Sequence, residues 1–406
     1  MAEIEHGLAD YDPRWERGTR GNRGDVFADT EVLLASDFEG ANGCNFRALA
    51  PGHYAVDLEK EPGTHRFGGL GYYVCVGVRN ELPRGRRVRL RLNAPFEGTW
   101  GEQSASFQVR HAGVWSEIAS GDIHRVPELP DSLDLDLTLP PGGAERDGTI
   151  FLSNYHWWPY TEMLDWLQTV ESGTVRRIGS SFQGRAVYAV EFGDPGNPTM
   201  VHTQTPQPSE MGSLACRALI DFLGSGSAAA DAIVQRFHVC FIPMTNPDGT
   251  VLGYGVSDSQ GRFPYLEGIQ GAEHLPESTP EVNNVWRYLE EKRPWLFWEW
   301  HSNHWKRRPG HMLLRYRPEC LADDALRDIW LDIDDRLLAL PDTHHGNWTG
   351  HEEGLYQSSL GFQAVVRLNA ISCMVKQHDK FPLEQSRRHA IACLQVAADA
   401  YSQLSR

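Results

Sequence analysis

The hydrophobic pattern of the chain changes character near residue 154. Between residues 32 and 153, apolar and polar residues alternate in short runs that Pro, Gly and Asn separate. This alternation is typical of half-buried strands, which we predict at His53–Leu58, Gly71–Val78, Arg87–Leu92 and Ser106–Arg110. Segment 31–153 is therefore predicted to be an antiparallel β-sandwich domain, and residues 1–30 a polar leader.

After residue 154, strand-like runs alternate with helix-like runs. We predict strands at Arg185–Phe192, Thr199–Thr203, Phe237–Met244 and Pro294–His301, with 363–376 mostly strand. Helices are predicted at Thr161–Val170, Met211–Leu223, Ala228–Arg236, Pro280–Arg293, Leu321–Leu340 and Glu384–Leu404. This alternation predicts an α/β domain over residues 154–406, built on a mixed, mostly parallel sheet with helices on both faces.

Length, net charge and cysteine pattern limit the partners and the cellular location that we expect for this protein. The 406 residues are enough for two domains, and a net charge of −16 argues against nucleic acid or an anionic membrane as the main partner. No apolar run reaches the roughly 20 residues that a membrane span needs. The acidic N-terminus lacks the layout of a signal peptide, and the seven cysteines form no disulfide or Cys-x-x-Cys pattern. We therefore expect a cytoplasmic protein.

Polar groups follow three of the predicted strands. Glu210 lies in the loop after the strand at 199–203, a turn made of Asn246–Gly249 follows the next strand, and His301 ends a third. Open α/β sheets place their chemistry at the carboxyl ends of their strands. A carboxylate and an imidazole that meet there predict a metal site or an acid–base site.

The order of these motifs resembles the zinc carboxypeptidases, most closely their cytosolic carboxypeptidase-like branch. Two further segments, Asn154–Leu167 and Ser36–Asn42, are similar to the entry into that family's catalytic domain and to the start of its β-domain. The resemblance covers nearly the whole chain. It implies a β-domain before a carboxypeptidase-like domain, bound zinc, and hydrolysis of an amide or peptide bond.

The active-site motif of this chain is degenerate relative to the family pattern. Gln207 stands where the family has the histidine of His-x-x-Glu. Val256 and Tyr265–Leu266 fall where the family has the Arg and the Asn-Arg that bind the substrate, and Met374 falls where it has the general-base Glu. The substrate site and the metal site are therefore predicted to be altered.

The resemblance carries over two metal ligands, Glu210 and His301. The third ligand is left open between Gln207, His202 and His304, and a neutral amide is a poor zinc donor compared with imidazole. Glu299, two residues before His301, is predicted to orient the imidazole, and Asp248 of the Asn246–Gly249 turn to support the site.

The catalytic groups also need substitutes, since hydrolysis of an amide uses a proton acceptor and a cation for the oxyanion. Glu352 and Glu353 are candidate bases, and Tyr356 resembles the family's mobile substrate-contacting Tyr. Arg262 is the main candidate cation, with Arg307 and Arg308 as alternatives.

Two hypotheses follow. The chain is a metallocarboxypeptidase-like hydrolase that acts on a peptide or an amide-containing small molecule. Alternatively, it is an inactive relative that binds a peptide or small molecule in the cleft, or whose pocket serves other small-metabolite chemistry. The zinc content of the purified protein distinguishes the two hypotheses. The sequence does not determine the oligomeric state.

Overall fold

The computed structural model describes residues 26–59, 61, 73–94, 106–142, 148–264, 279–303, 310–349, 359–379 and 381–404. The chain divides into two compact units. One contains the described residues up to Pro159 together with Gly249–Gly261, and the other contains Tyr160–Asp248 and the described residues from Arg262 onward. The division differs from the predicted continuous domain 154–406 in two places, because residues 154–159 and the internal segment Gly249–Gly261 belong to the first unit.

The first unit is built from eleven strands among the residues described. They are β1 Val26–Ala28, β2 Val32–Ala35, β3 Gly43–Ala50, β4 His53–Leu58, β5 Cys75–Asn80, β6 Arg86–Asn93, β7 Gln108–His111, β8 Val114–Glu117, β9 Ile123–Arg125, β10 Ser132–Leu139 and β11 Thr149–Ser153. They form two sheets, in the orders β1-β2-β5-β11-β7-β8 and β3-β4-β6-β10-β9. All pairs are antiparallel except β4 with β6, as the alternating pattern predicts for a sandwich.

One hydrophobic core joins the two sheets of this unit. Val76 and Leu152 enter it from the first sheet, and Leu90 and Leu135 enter it from the second. These residues are inward members of alternating runs, which explains why the pattern alone locates the strands.

A buried carboxylate holds the internal segment 249–261 within the first unit. Glu61 is 6% exposed and accepts hydrogen bonds from the backbone N–H groups of Gly255 and Val256, each at 2.9 Å, and from that of Ser257. Burial raises the pKa of Glu61, and the N–H donors oppose the rise. Backbone donors therefore replace the water that Glu61 loses on burial.

The second unit contains an eight-stranded sheet and the larger helices. Its strands are β12 Thr174–Ser180, β13 Ala186–Phe192, β14 Thr199–Gln204, β15 His238–Ile242, β16 Leu296–Asn303, β17 His311–Tyr316, β18 Thr343–Thr349 and β19 Ile371–His378. The helices are α1 Tyr160–Leu167, α2 Gly212–Leu223, α3 Ala228–Val234, α4 Pro247–Leu252, α5 Pro280–Lys292, α6 Asp324–Leu338, α7 Leu360–Leu368 and α8 Leu383–Leu404. Helix α4 begins at the predicted turn and crosses the division between the units.

The strand order of this sheet is β12-β13-β15-β14-β16-β19-β17-β18, and the four central strands are parallel. Helices α5 and α7 share a hydrophobic core with one face, which includes Val201 and Phe297. Helix α6 binds the other face, where Asp334 pairs with Arg315 of β17 at 2.5 Å. This is the predicted mixed α/β sheet with helices on both faces.

The prediction of strand over residues 363–376 is wrong in its first half. Leu360–Leu368 is a helix, and only Ile371–His378 is a strand. Ser359 caps the helix by accepting a hydrogen bond from the Phe362 N–H at 3.2 Å, and Asn369 ends it in a left-handed conformation. A short buried helix and a buried strand both have a short apolar run, so the pattern alone does not distinguish them.

Among the helices of the described ranges, none has the length and apolar character that crossing a membrane requires.

Candidate functional site

The candidate site lies at the carboxyl ends of the central parallel strands. The loop after β14 turns at Gln207–Glu210, where the Glu210 N–H donates to the Gln207 carbonyl at 3.3 Å. The next residue, Met211, donates its N–H to the Ser302 hydroxyl at 2.8 Å and so fixes the start of α2 beside the end of β16. The fit is close, because a Cβ on Gly212 would lie 2.2 Å from the Trp300 carbonyl oxygen. Glycine at this position lets α2 begin next to β16.

This arrangement brings Glu210 and His301 together, as the sequence predicts. Glu210 Oε2 lies 3.3 Å from His301 Nδ1, and the Ser302 backbone N–H donates to the same carboxylate oxygen. Both residues are buried, at 7% and 0% exposure. A backbone donor therefore orients the carboxylate towards the imidazole.

Strand register adds three more side chains to the same face of the sheet. In the parallel pair β16–β19, Glu299 is opposite Met374, and His301 is opposite Lys376. Residues opposite each other, and residues two apart on one strand, point to the same face. The Lys376 side chain is half-buried. The candidate site thus contains two carboxylates, an imidazole and an ammonium group.

Glu299 is the most strongly perturbed acid at this edge. It is 1% exposed, and burial raises its pKa to about 8, with a smaller contribution from the negative charge of Glu210. Its Oε2 accepts a hydrogen bond from the Gly361 N–H at 3.1 Å, and Lys376 also opposes the rise. Oε1 has no hydrogen-bond partner among the described residues. The structure therefore gives Glu299 a backbone partner at α7 in place of the predicted imidazole.

His202 points away from the other predicted ligands. It is opposite Trp298 in the β14–β16 register, so it faces the side of the sheet opposite to Glu299 and His301. Its ring stacks on Phe241 with centroids 5.4 Å apart and contacts Trp298 at 5.6 Å. Burial lowers its pKa to about 3. The structure does not bring His202 to Glu210 and His301.

Asp248 lies in a buried network with the turn between β12 and β13. It accepts hydrogen bonds from the Ser181 hydroxyl at 2.5 Å, the Gln183 N–H at 2.8 Å and Arg185 Nη1 at 2.6 Å. Asp248 is fully buried, and the Arg185 side chain is 3% exposed. The predicted supporting residue thus holds a distant turn in place.

Of the remaining predicted site residues, the structure describes Gln207 and Arg262. Gln207 is half-buried in the same turn as Glu210, and its side-chain amide makes no hydrogen bond within the described ranges. The Arg262 guanidinium lies 5.9 Å from the centre of the Phe182 ring. Four predicted site residues lie outside the described residues, together with the two alternative cations: His304, Glu352, Glu353, Tyr356, and Arg307 and Arg308.

A second group of metal-type ligands occurs near the opposite ends of the strands. Glu191, His238 and Cys240 place their ligand atoms within 4.8 Å of one another. The Glu191 carboxylate, however, already accepts hydrogen bonds from Lys292 and from the Tyr288 hydroxyl, both at 2.8 Å. Although burial opposes ionisation, His238, Lys292 and Tyr288 lower the pKa of Glu191 to about 2.

The chemistry of this second group does not suit zinc. Zinc binds thiolate, and burial raises the pKa of Cys240 to about 12, which keeps the thiol protonated. A metal would also have to displace the ammonium group of Lys292 from Glu191. We interpret the group as an ion-pair network that fixes the end of α5 to β13.

The geometry of the first pair fits two zinc ligands. Donors 2.0–2.2 Å from a tetrahedral zinc ion lie about 3.3–3.5 Å apart. The Glu210–His301 separation of 3.3 Å matches this value. Gln207 lies in the same turn as Glu210.

Sequence reasoning missed Lys376 and the Glu191 network. The one available signal for Lys376 was its position two residues after Met374 on a predicted strand. Period-two geometry puts those two residues on one face, but only the β16–β19 register places them beside His301.

Comparison with known proteins identifies one matching family model and several solved structures with a similar fold. Residues 160–266 match the family model of the zinc carboxypeptidases, and no protein among the curated sequences matches the chain. A metallo-carboxypeptidase from Burkholderia cenocepacia has a similar structure, with a TM-score of 0.73 at 14% identity, over 92% of this chain and 99% of that chain. A metallo-carboxypeptidase from Pseudomonas aeruginosa, in complex with (2-guanidinoethylmercapto)succinic acid, also gives 0.73 at 14% identity, over 91% of this chain and 99% of that one.

The family model matches the segment that carries Glu210 and the Asn246–Gly249 turn. The shared fold extends over nearly the whole length of this chain and of both bacterial structures. Residues 160–266 are thus similar to the zinc carboxypeptidases, and the fold of the chain is that of the two bacterial metallo-carboxypeptidases.

Proposed function

We propose that this protein is a metal-dependent hydrolase of an amide or peptide bond, with its reaction centre at Glu210 and His301. The observation that carries the proposal is the 3.3 Å separation between Glu210 Oε2 and His301 Nδ1 at the carboxyl edge of the sheet. Gln207 completes the metal site in this proposal. Zinc, when bound there, supplies a Lewis acid for the carbonyl oxygen of the substrate.

The residues around this pair support such a centre. The Ser302 N–H holds one carboxylate oxygen of Glu210, so the carboxylate is oriented before any ligand arrives. Burial of Glu210 and His301 excludes bulk water, which strengthens the electrostatic interactions of both groups. Glu352 and Glu353 remain the proposed proton acceptors, and Tyr356 and Arg262 remain proposed substrate contacts.

One observation favours the second candidate, a cleft that binds without hydrolysis. Met374 stands on the same face as Glu299 and His301, at the point where the family resemblance implies the general base. A thioether does not accept a proton near neutral pH. Both candidate functions use the same cleft, and only the first predicts that the bound substrate is hydrolysed.

Elemental analysis of the purified full chain, combined with an amidase assay, separates the candidates. We expect about one zinc ion per chain, with its loss in His301→Ala and in Glu210→Ala. Cys240→Ala is the matched control, because it removes a metal-type ligand at the ion-pair network, and it should keep its zinc.

Turnover is then measured with a panel of peptides and N-acyl amino acids. Hydrolysis that disappears with the zinc in His301→Ala supports the proposal. Zinc that stays bound in both site variants overturns the metal assignment. Stoichiometric zinc without hydrolysis of any member of the panel establishes the binding protein instead.

A further inference from the structure

We propose that a cavity between α2 and α8 binds a free aliphatic amino acid, at a site separate from the reaction centre. The cavity has a volume of about 260 Å³ and is lined by residues of both helices and by Gln377 of β19. Gln377 follows Lys376, so its side chain points to the face of the sheet opposite to His301. The inference therefore does not depend on the proposed hydrolysis.

The size and the walls of the cavity limit the ligand to a small, partly apolar molecule. A cavity of about 150 Å³ binds benzene, so one of about 260 Å³ accommodates a ligand of roughly ten non-hydrogen atoms. The apolar part of the wall consists of Met211, Leu214, Ala218 and Leu383. These side chains favour an aliphatic group, which leaves water when it enters the cavity. An amino acid of the size of leucine meets both conditions.

Each helix contributes one cation and one anion to the cavity. Arg217 and Asp221 belong to α2, and Glu384 and Arg387 belong to α8. The charged atoms are 3.8 Å apart in the first pair and 3.9 Å apart in the second, with side chains 40–61% exposed. Exposed pairs of this kind contribute little to stability, so a ligand can exchange them for its own contacts at little cost. An ammonium group at the acids and a carboxylate at the guanidinium groups would match both signs of charge.

A buried hydroxyl at the cavity also favours a polar ligand. Ser386 is 3% exposed, and its Oγ has no hydrogen-bond partner among the residues that the structure describes. The Ser386 carbonyl accepts a hydrogen bond from Gln377 Nε2 at 2.8 Å, which fixes α8 to β19 beside the cavity. A buried hydroxyl without a partner is costly, and rotation about its Cα–Cβ bond lets it donate to or accept from a bound group. The charged end of an amino acid supplies such a group.

Calorimetric titration of the full chain with L-leucine tests the inference. We expect one leucine per chain. Arg387→Gln removes one cation from the cavity and should weaken binding about tenfold, through loss of a charge-assisted hydrogen bond. Arg388→Gln is the matched control, because Arg388 also lies 3.9 Å from Glu384 and does not line the cavity. It should bind leucine like the wild type.

Two leucine analogues that contain no hydrolysable bond provide the second arm. Leucinol lacks the carboxylate, and 4-methylpentanoate lacks the ammonium group. Each should bind the wild type about tenfold or more weakly than leucine. Arg387→Gln should not weaken the binding of leucinol further, because leucinol has no carboxylate to lose. Analogues that bind as tightly as leucine would contradict recognition of both charges.

The variant His301→Ala separates the cavity from the reaction centre. Leucine should bind it as tightly as the wild type, and this holds even if the protein hydrolyses nothing. Zinc-dependent hydrolysis in a protein that does not bind leucine overturns only this inference. Binding that is lost in His301→Ala and kept in Arg387→Gln places leucine at the reaction centre and also overturns it. Thermal unfolding of each variant confirms that the fold is retained.

Discussion

Asp248→Ala is expected to lower the free energy of unfolding by about 3–5 kcal/mol, because it leaves a buried guanidinium without its counter-ion. Asp248 is fully buried, and its partner Arg185 is 3% exposed, with 2.6 Å between Oδ1 and Nη1. The same substitution removes the acceptor for the Ser181 hydroxyl and for the Gln183 N–H. Each buried donor left unpaired adds its own desolvation cost.

Urea unfolding followed by tryptophan fluorescence measures this effect. A double-mutant cycle with Arg185→Ala isolates the pair, and the double variant should be less unstable than the sum of the single variants. Asp332→Ala is the matched control, since Asp332 pairs with Arg336 at 3.0 Å on the outer side of α6. We expect it to cost less than about 1 kcal/mol. Equal losses in Asp248→Ala and Asp332→Ala would contradict the interpretation of Asp248 as a buried anchor.

Local sequence pattern was sufficient for most of the elements and for the pair at the centre of the site. The strands of both units have periodicities that follow from their burial, and Glu210 and His301 lie at the ends of elements whose direction follows from the α/β alternation. Carboxyl ends of parallel strands share one edge, so the sequence predicts that these two residues lie together, and they are 3.3 Å apart.

The contacts that sequence could not supply depend on register between distant strands. His202 and His301 both sit near strand ends, yet the pairing of His202 with Trp298 sends its ring to the opposite face. The pairing of His301 with Lys376 has the reverse effect and adds a residue to the site. A shift of one residue would exchange both outcomes, and nothing local in the sequence fixes that shift.

The role of Asp248 shows the same limit for loops. Its motif indicated a site residue, but its partners Ser181 and Arg185 are more than 60 residues earlier in the chain. Their pairing is visible only once β12 and β13 bring the turn between them to the start of α4. Motif position alone therefore does not identify the contacts of Asp248.

Mild acid is expected to destabilise the native protein through three buried histidines. Burial lowers the pKa of His202 to about 3, of His389 to about 4 and of His311 to about 2, from an ordinary value of 6.5. His311 stacks on His389 with ring centroids 3.6 Å apart, and the charges of His389, His378 and His344 would also oppose its protonation. Below pH 6.5 these histidines bind protons in the unfolded chain, whereas in the native protein they stay neutral. Stability from these groups is therefore complete above pH 6.5 and is lost as the pH falls towards their native pKa values.

The substitution His202→Phe removes one of these three titrating groups and so measures its contribution. Each histidine costs about 1.4 kcal/mol per pH unit below 6.5, so the variant should gain about 3 kcal/mol over the wild type by pH 4.5. Phenylalanine suits the site, because His202 contacts Phe241, Trp298 and Trp300 and both of its ring nitrogens lack hydrogen-bond partners in the described chain. Removing two unpaired polar atoms should also stabilise the variant slightly at neutral pH.

Urea unfolding of the wild type and of His202→Phe, from pH 8 to pH 4.5, measures the difference. Above pH 7 His202 is neutral in both states, so the gap between the two proteins should not change with pH and serves as the internal control. Below pH 6.5 the difference in the free energy of unfolding between the two proteins should increase by about 1.4 kcal/mol per pH unit, which corresponds to one proton. Glu299 titrates in the opposite direction, because its raised pKa makes the native protein hold a proton that the unfolded chain releases. That contribution is common to both proteins and cancels in the gap, so parallel stability curves below pH 6.5 would contradict the burial of an uncharged His202.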